Sequence, residues 1–230
     1  AGMAAKHINA PESVMFFETG AIDSRLDEIP LAVADPRIMY LASTNGGLFD
    51  AFATMQNPIT GGRVIGILGA AQIDIHGNIN TTVIGDYHSP KSRLPGSGGA
   101  SPIGALAKRT LIITLHDDFR LSERVDFVTT PGYIDGPGAR EKIGLPPDTG
   151  PSVIITNKAV MRFDADTKEA YLASYHPGCS VEEIVRLTPW PLKVAPDVHE
   201  TEPPTKTERK AMRIIDPARM IQMYEKRGYI

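Results

Sequence analysis

The run Val14-Met15-Phe16-Phe17 stops at Glu18-Thr19-Gly20, and that stop constrains the chain more than anything else in it. Four consecutive apolar residues read as a strand buried on both faces, the kind found in parallel sheets covered by helices. The carboxylate arrives where the strand must end, at a Thr-Gly turn. In an open α/β sheet that edge is where ligands bind. A charged residue closing a strand also serves as a plain solvated terminator, so Glu18 needs support from elsewhere.

The pattern recurs along the chain. Val64-Ile65-Gly66-Ile67-Leu68 reads as a second buried strand, followed by Gly69-Ala70-Ala71-Gln72, whose small side chains let a ligand approach the backbone. Residues 110–115 read as a third strand, ending at His116-Asp117-Asp118, and 125–128 as a fourth. Residues 152–156 and 160–163 are further strands, the latter turning through 164–167 into 171–174. Before the second strand, 37–42 reads as a short strand and 47–55 as a short helix with Leu48, Phe49, Phe52 and Met55 on one face. After it, 73–84 reads as a hairpin turning at His76-Gly77-Asn78, and 86–91 as an exposed polar loop.

Pro95-Gly96-Ser97-Gly98-Gly99-Ala100-Ser101-Pro102 is a glycine-rich turn running into a helix, with Ser101 as N-cap and Pro102 at the first helical position. Residues 130–151 form a long Gly/Pro loop, of a length that is usually functional or packed on a neighbour. Ser180 and Glu183 make a capping box for a helix through Leu187. From Thr188 the prolines at 189, 191, 196, 203 and 204 describe an irregular tail, closed by an amphipathic helix over 217–227. At the other end Ala1-Gly2-Met3 starts as if mid-helix without a cap, so the chain is expected to be a fragment lacking its true start. The expected architecture is α/β: an open, mostly parallel sheet with helices on both faces, in a domain spanning 1–192, and an extended proline-rich tail with a terminal helix over 193–230.

Composition narrows the function. A net charge of -3 gives no footprint for nucleic acid or anionic membrane. No apolar run approaches the roughly 18 residues of a membrane helix, and no signal-peptide pattern is present. The single Cys179 rules out an internal disulfide and fits a reducing cytoplasm. The glycine loop is neither the dinucleotide nor the triphosphate fingerprint; what remains is a cluster of backbone N–H groups suited to an anion or developing oxyanion, or a plain tight turn. No histidines sit at metal-ligand spacing, so no metal is expected. No Gly-x-Ser-x-Gly elbow is present, and Cys179 has no neighbouring base.

Taken together, Phe17-Glu18-Thr19-Gly20, Gly69-Ala70-Ala71-Gln72-Ile73-Asp74 with His76-Gly77-Asn78-Ile79-Asn80, Ile84-Gly85-Asp86-Tyr87-His88-Ser89-Pro90-Lys91 and Gly96-Ser97-Gly98-Gly99-Ala100 resemble, in that order, the β subunit of class I coenzyme A transferases, most closely the glutaconate type. Thr130-Pro131-Gly132-Tyr133-Ile134-Asp135-Gly136-Pro137-Gly138 and His176-Pro177-Gly178 extend the likeness, which runs to about Leu192. The resemblance implies two homologous subunits meeting around an active site. It places the catalytic glutamate on Glu18, a small-residue turn with a glutamine on Gly69, Ala70 and Gln72, and an oxyanion loop on Gly98 and Gly99. Ser97, Lys91, Arg93 and Arg140 are candidate contacts for coenzyme A phosphates or a substrate carboxylate, although exposed loop cations are commonly just solvated. Two departures stand out: Thr19 replaces a serine usual in close relatives, and Ala70 a glycine.

The implied activity is acyl-CoA:carboxylate CoA-transfer through a glutamyl-CoA thioester on Glu18, within a hetero-oligomer with a homologous α subunit. Coenzyme A thioester is the substrate and no cofactor is permanently bound. The acid is glutaconate or a related dicarboxylic or 3-oxo acid. The alternatives are a hydrolase of acyl-CoA or of a carbocyclic ring, or a decarboxylase, of the same superfamily, and a scaffold subunit whose partner carries the active groups.

Overall fold

The computed structural model describes residues 2–26, 29–30 and 32–219. The chain divides into two compact units, one of Ala1–Thr54 with Glu202–Ile230 and one of Met55–Thr201. The first opens with α1 (Gly2–Ile8), β1 (Ala21–Ile22), α2 (Arg37–Tyr40), β2 (Thr44–Asn45) and α3 (Leu48–Gln56), whose last two residues already belong to the second unit. There follow α4 (Pro58–Gly61), β3 (Ile65–Gly69), β4 (Gln72–Ile73), β5 (Ile79–Asn80), β6 (Val83–Gly85), β7 (Pro90–Arg93), α5 (Ala100–Leu106) and β8 (Arg109–Ile113). Then come α6 (Ala139–Lys142), β9 (Pro151–Ile155), β10 (Ala159–Phe163), β11 (Ala170–Tyr175), α7 (Val181–Arg186) and β12 (Lys193–Glu200), before the chain returns to the first unit as α8 (Lys206–Ile215). No helix among the described residues is long and apolar enough to cross a membrane.

The second unit is built on a six-stranded sheet of order β12-β11-β10-β9-β8-β3. Three of its five pairings are parallel, β3 with β8, β8 with β9 and β11 with β12, and the two hairpin pairings of β10 are antiparallel. Its core gathers Ile112, Ile154, Met161 and Leu172 from the sheet with Ile73, Ile79, Leu121, Ile184 and Trp190 from the segments that cover it. Along β10 and β11 the inward set is Ala159, Met161, Ala170 and Leu172, the period-2 alternation of a half-buried strand. Helix α5 lies against β3 and β8. Gly66 makes that approach possible: a Cβ there would meet Ile103 Cγ2 at 2.4 Å. On its other face β3 is open, with Ile65 63% and Ile67 44% exposed. The second strand is therefore a half-covered sheet margin and not a strand buried on both sides.

Two of the motifs noted in the sequence lock to each other. Asp74 Oδ1 accepts the backbone N–H groups of His76 and Asn78, both at 3.0 Å, and Oδ2 accepts from Asn78 Nδ2 at 2.9 Å. Burial pushes the Asp74 carboxyl up, opposed by these hydrogen bonds from Asn78 and His76. Gly77 closes the turn at φ +71, where a side chain would strike Phe163 Cζ at 2.7 Å. Asn78 then reaches into the Gly/Pro loop: its Oδ1 accepts from the amides of Gly132 (2.9 Å) and Ile134 (3.1 Å), and its Nδ2 donates to Ile134 O (2.8 Å). The long loop is thus packed on the β4–β5 hairpin and continues with its own short helix, α6.

Several expectations change on the structure. Residues 14–17 are not a buried strand: Val14 is 62% exposed, and a lone bridge joins Phe16 to Ile22. Residues 37–42 hold α2 in place of a strand, with the Asp35 carboxylate accepting the Arg37 amide at 3.0 Å. Residues 125–128 are irregular. In α3 the buried side chains are Ala51 and Met55, while Leu48 and Phe49 are exposed. The stretch expected as an irregular tail contains β12, whose residues 195–198, Pro196 among them, bulge opposite Ala173 of β11. The capping box at Ser180 is half made: Ser180 Oγ accepts the Glu183 amide, but the Glu183 carboxylate goes to Lys158 Nζ at 2.7 Å. A complete box sits at Thr205 and Glu208, starting α8, which packs with α1. Of the helix expected over 217–227, residues 220–227 lie outside the described residues, and 217–218 form a turn.

Just past the carboxyl end of β8, the His116 ring is sealed between Thr156 Oγ1 at 3.2 Å from Nδ1 and Thr188 Oγ1 at 3.1 Å from Nε2. The Thr188 hydroxyl donates to Ile184 O, so Nε2 faces an oxygen whose proton is already committed. Burial holds its pKa below the ordinary value near 6.5. Folding therefore favours the uncharged ring: its contribution is complete above about pH 6.5 and is lost as pH falls through the unfolded value toward the folded one. Urea midpoints measured from pH 7.5 to 5.5 should fall for the native chain and fall less for His116→Gln. Asn78→Ala strands the Gly132 and Ile134 amides in the interior and should cost roughly 2–4 kcal/mol in the same assay; a loss under about 0.5 kcal/mol would show that the two motifs do not support each other.

Candidate active site

The first unit presents Glu18 on a turn. Phe17 N–H donates to Ala21 O and Gly20 N–H to Phe17 O, both at 2.9 Å, so Phe17-Glu18-Thr19-Gly20 folds back tightly, with Gly20 at φ +98. The turn is pinned from beside it: Gly46 N–H donates to Gly20 O at 2.9 Å, and a Cβ on Gly20 would lie 2.8 Å from the Gly47 backbone. Only glycine satisfies both the dihedral and that contact. β1 and β2 extend the clamp, with Ala21 opposite Asn45. Glu18 itself is half-buried, and among the described residues nothing donates a hydrogen bond to its carboxylate and no cation pairs with it. A carboxylate without such partners keeps its lone pairs available for attack on a carbonyl.

The second unit carries the remaining candidates. Gly69-Ala70-Ala71-Gln72 begins at the carboxyl end of β3, the edge at which such sheets bind ligands. Gln72 is buried with both of its side-chain polar atoms bonded: Oε1 accepts from Asn80 Nδ2 at 2.6 Å and the Asp126 amide at 3.2 Å, and Nε2 donates to Asp126 Oδ2 at 3.1 Å. Asp126 Oδ2 also takes the Gly85 amide at 2.8 Å, so this glutamine organises the backbone around it. Ala70 O accepts from Thr114 Oγ1 at 3.1 Å, fixing the small-residue turn, and the space beside Gly69 is open to Ile113 O at 3.9 Å.

In the glycine loop the helix starts two residues earlier than expected. Gly99, not Ser101, is its N-cap, and Pro102 is its third residue. Ser97 does the capping from outside the helix, its Oγ accepting the Ser101 amide at 3.3 Å and donating to Gly98 O at 2.9 Å. Gly98 sits at φ +47, and the amides of Gly98 and Gly99 have no acceptor among the described residues. Two adjacent unengaged N–H groups before a helix are the equipment of an oxyanion site.

Lys91 and Arg93 lie on β7 and not in a loop. Arg93 is held by Tyr87, its Nη2 donating to Tyr87 O at 2.5 Å and its guanidinium 4.6 Å from the ring centroid, and Tyr87 stacks on Phe127. Lys91 is exposed, without an ion pair among the described residues. Arg140, expected as an exposed loop cation, is 2% exposed. Its Nη1 donates to Pro131 O and Gly132 O, and its Nη2 to Gly104 O, Ala105 O and Thr149 Oγ1. It ties the Gly/Pro loop to the end of α5, and burial lowers its pKa. Asn78, Asn80 and Asp126 were not among the expected site residues, although two asparagines within an apolar hairpin are a legible signal, since buried amides demand partners. Among the described residues no three His, Cys, Asp or Glu side chains are placed to hold a metal ion.

The coenzyme A transferase family profile matches residues 3–187. The subunit designated B of glutaconate CoA-transferase from Acidaminococcus fermentans is 41% identical over 216 residues, which cover 93% of this chain and 80% of that protein. The corresponding subunit of 3-oxoadipate CoA-transferase from Pseudomonas knackmussii is 38% identical over 216 residues, covering 92% of this chain and 80% of the relative. The crystal structure of glutaconate coenzyme A-transferase from Acidaminococcus fermentans superposes with a TM-score of 0.88 at 38% identity, over 94% of this chain and 84% of that one. On these grounds the chain belongs to the coenzyme A transferase family.

Proposed function

We propose that this chain is the β subunit of a heteromeric acyl-CoA:carboxylate CoA-transferase, with Glu18 as the covalent nucleophile. The observation that carries the proposal is a glutamate held at the tip of a backbone-pinned turn with its carboxylate unengaged, in a chain of this family. The substrate class is a dicarboxylic or 3-oxo acid, in keeping with relatives named for glutaconate and 3-oxoadipate. Each of these relatives is named as one lettered subunit of its transferase, which supports a homologous α subunit as partner.

The chemistry runs as two exchanges. The Glu18 carboxylate attacks the thioester carbonyl, the C–S bond breaks, and coenzyme A thiolate leaves an acyl-glutamyl anhydride. The thiolate attacks the glutamyl carbonyl, and the anhydride C–O bond breaks. The donor acid departs as its carboxylate, leaving a glutamyl-CoA thioester. An acceptor carboxylate reverses both steps, forming the new acyl-CoA and restoring Glu18. Negative charge gathers on a carbonyl oxygen at each tetrahedral stage, and main-chain donors such as the Gly98 and Gly99 amides are worth about 2.7–4 kcal/mol each to such a stage.

Incubation of the two-subunit complex with acyl-CoA and no acceptor should leave a coenzyme A adduct on the peptide containing Glu18, read by mass spectrometry. Glu18→Ala should lose that adduct and lower kcat at least about 1,000-fold; normal turnover in this variant would sink the mechanism. Release of free coenzyme A without an acceptor would identify a hydrolase instead. At Gly99, φ of -78 suits proline. Gly99→Pro removes one N–H and should lower kcat about 100- to 1,000-fold while the circular dichroism spectrum is kept.

A further inference from the structure

Asn45-Gly46 belongs to the segment that pins the Glu18 turn, and it carries a chemistry of its own that transfer does not use. Asn45 is the one asparagine of the chain followed by glycine. With no Cβ on the next residue, its backbone nitrogen can close on the asparagine side-chain carbon and form a five-membered ring without steric hindrance. Asn9, Asn57, Asn78, Asn80 and Asn157 precede Ala10, Pro58, Ile79, Thr81 and Lys158, where a side chain obstructs that closure or the N–H is missing. Packing keeps glycine at 46, since a Cβ there would lie 2.8 Å from Asp50 Oδ2. The contact that shapes the clamp therefore also keeps the reactive pair in it.

Both residues are exposed. Asn45 lies on β2, two residues paired with the two of β1 in a sheet of their own. A two-stranded ribbon of this length is marginal in water and opens locally at small cost. While closed, the ribbon protects the pair: Gly46 N–H donates to Gly20 O at 2.9 Å and Asn45 Nδ2 to Met39 O at 3.0 Å, so the attacking nitrogen and its target are held in separate bonds. Ring closure runs from the open ribbon.

We propose that Asn45 is a site of spontaneous deamidation and that its product unpins the Glu18 turn. The Gly46 amide gives its proton to solvent and its nitrogen bonds to Asn45 Cγ. The bond from Cγ to the side-chain nitrogen breaks, and ammonia leaves a succinimide. Water then opens the ring at one of its two carbonyls, giving aspartate, or isoaspartate, in which the main chain passes through Cγ and is one methylene longer. The longer chain carries the Gly46 N–H off Gly20 O, and the tight approach of Gly47 to Gly20 leaves no slack to absorb the extra length. Deamidation itself is independent of the transfer mechanism, whereas the loss of activity that follows rests on Glu18 as the reacting group.

Ageing the two-subunit complex in mildly alkaline buffer tests this. Peptide mass spectrometry should show a gain of one mass unit on the peptide carrying Asn45 and none on peptides carrying the other asparagines, with isoaspartate identified by isoaspartyl methyltransferase labelling. Transfer activity should fall in proportion to conversion, so that half conversion leaves about half of the starting activity. Asn45→Gln, which would have to close a slower six-membered ring, should keep its own starting activity over the same period. An Asn45 peptide that stays unchanged in the complex while the chain unfolded in guanidinium chloride converts, or conversion that leaves activity intact, overturns the proposal. A fault in the Glu18 assignment shows separately, as a missing coenzyme A adduct in the fresh complex with Asn45 conversion unaffected.

Discussion

One buried amide holds the second unit's loops in place. Asn78 meets the Asp74 carboxylate with one hand and the Gly132–Ile134 backbone with the other, leaving none of its hydrogen-bonding groups idle. Glycines make the embrace possible, since a Cβ on Gly132 would lie 2.3 Å from the Gly77 carbonyl carbon. Polar networks of this kind are stable only when complete. The motifs at 74–80 and 130–138 therefore hold each other in place. Gln72 is held in a similar way, its amide taken up by Asn80 and Asp126.

What the sequence made legible follows from range. Strand and hairpin elements over 65–85 and 151–175 depend on local alternation and local turns, and these were readable. The misreadings have specific causes. Val14-Met15-Phe16-Phe17 carries the hydropathy of a core strand, but a bridge from Phe16 to Ile22 is all the pairing it makes. Val125-Asp126-Phe127-Val128 has strand composition, yet Asp126 turns to Gln72 and Gly85, and the backbone follows the carboxylate instead of a ladder. Pro196 argued against a strand, but β12 is a sheet edge that bulges around it.

At the candidate site, sequence could supply residue types but not engagement. Glu18 was visible as a carboxylate at the end of an apolar run; that it sits on a turn clamped by Gly46 and Gly47 depends on a pairing between distant segments. Gln72 meets Asp126 across 54 residues, a separation that no local pattern reports. Arg140 had the composition of a solvated loop cation and proved to be an interior fastener, because its partners are carbonyl oxygens, which leave no mark in a sequence.

The bare margin at β3 has a practical consequence. Its last ladder runs to β8; Ile65 and Ile67 stand exposed on one face of the strand, and its outer main-chain groups have no neighbouring strand among the described residues. Natural sheets guard such rims with lysine, proline or a covering segment. Handled by itself at high concentration, this polypeptide carries a ready seam for sticking to its own kind, and charge placed at Ile65 is the direct way to dull it.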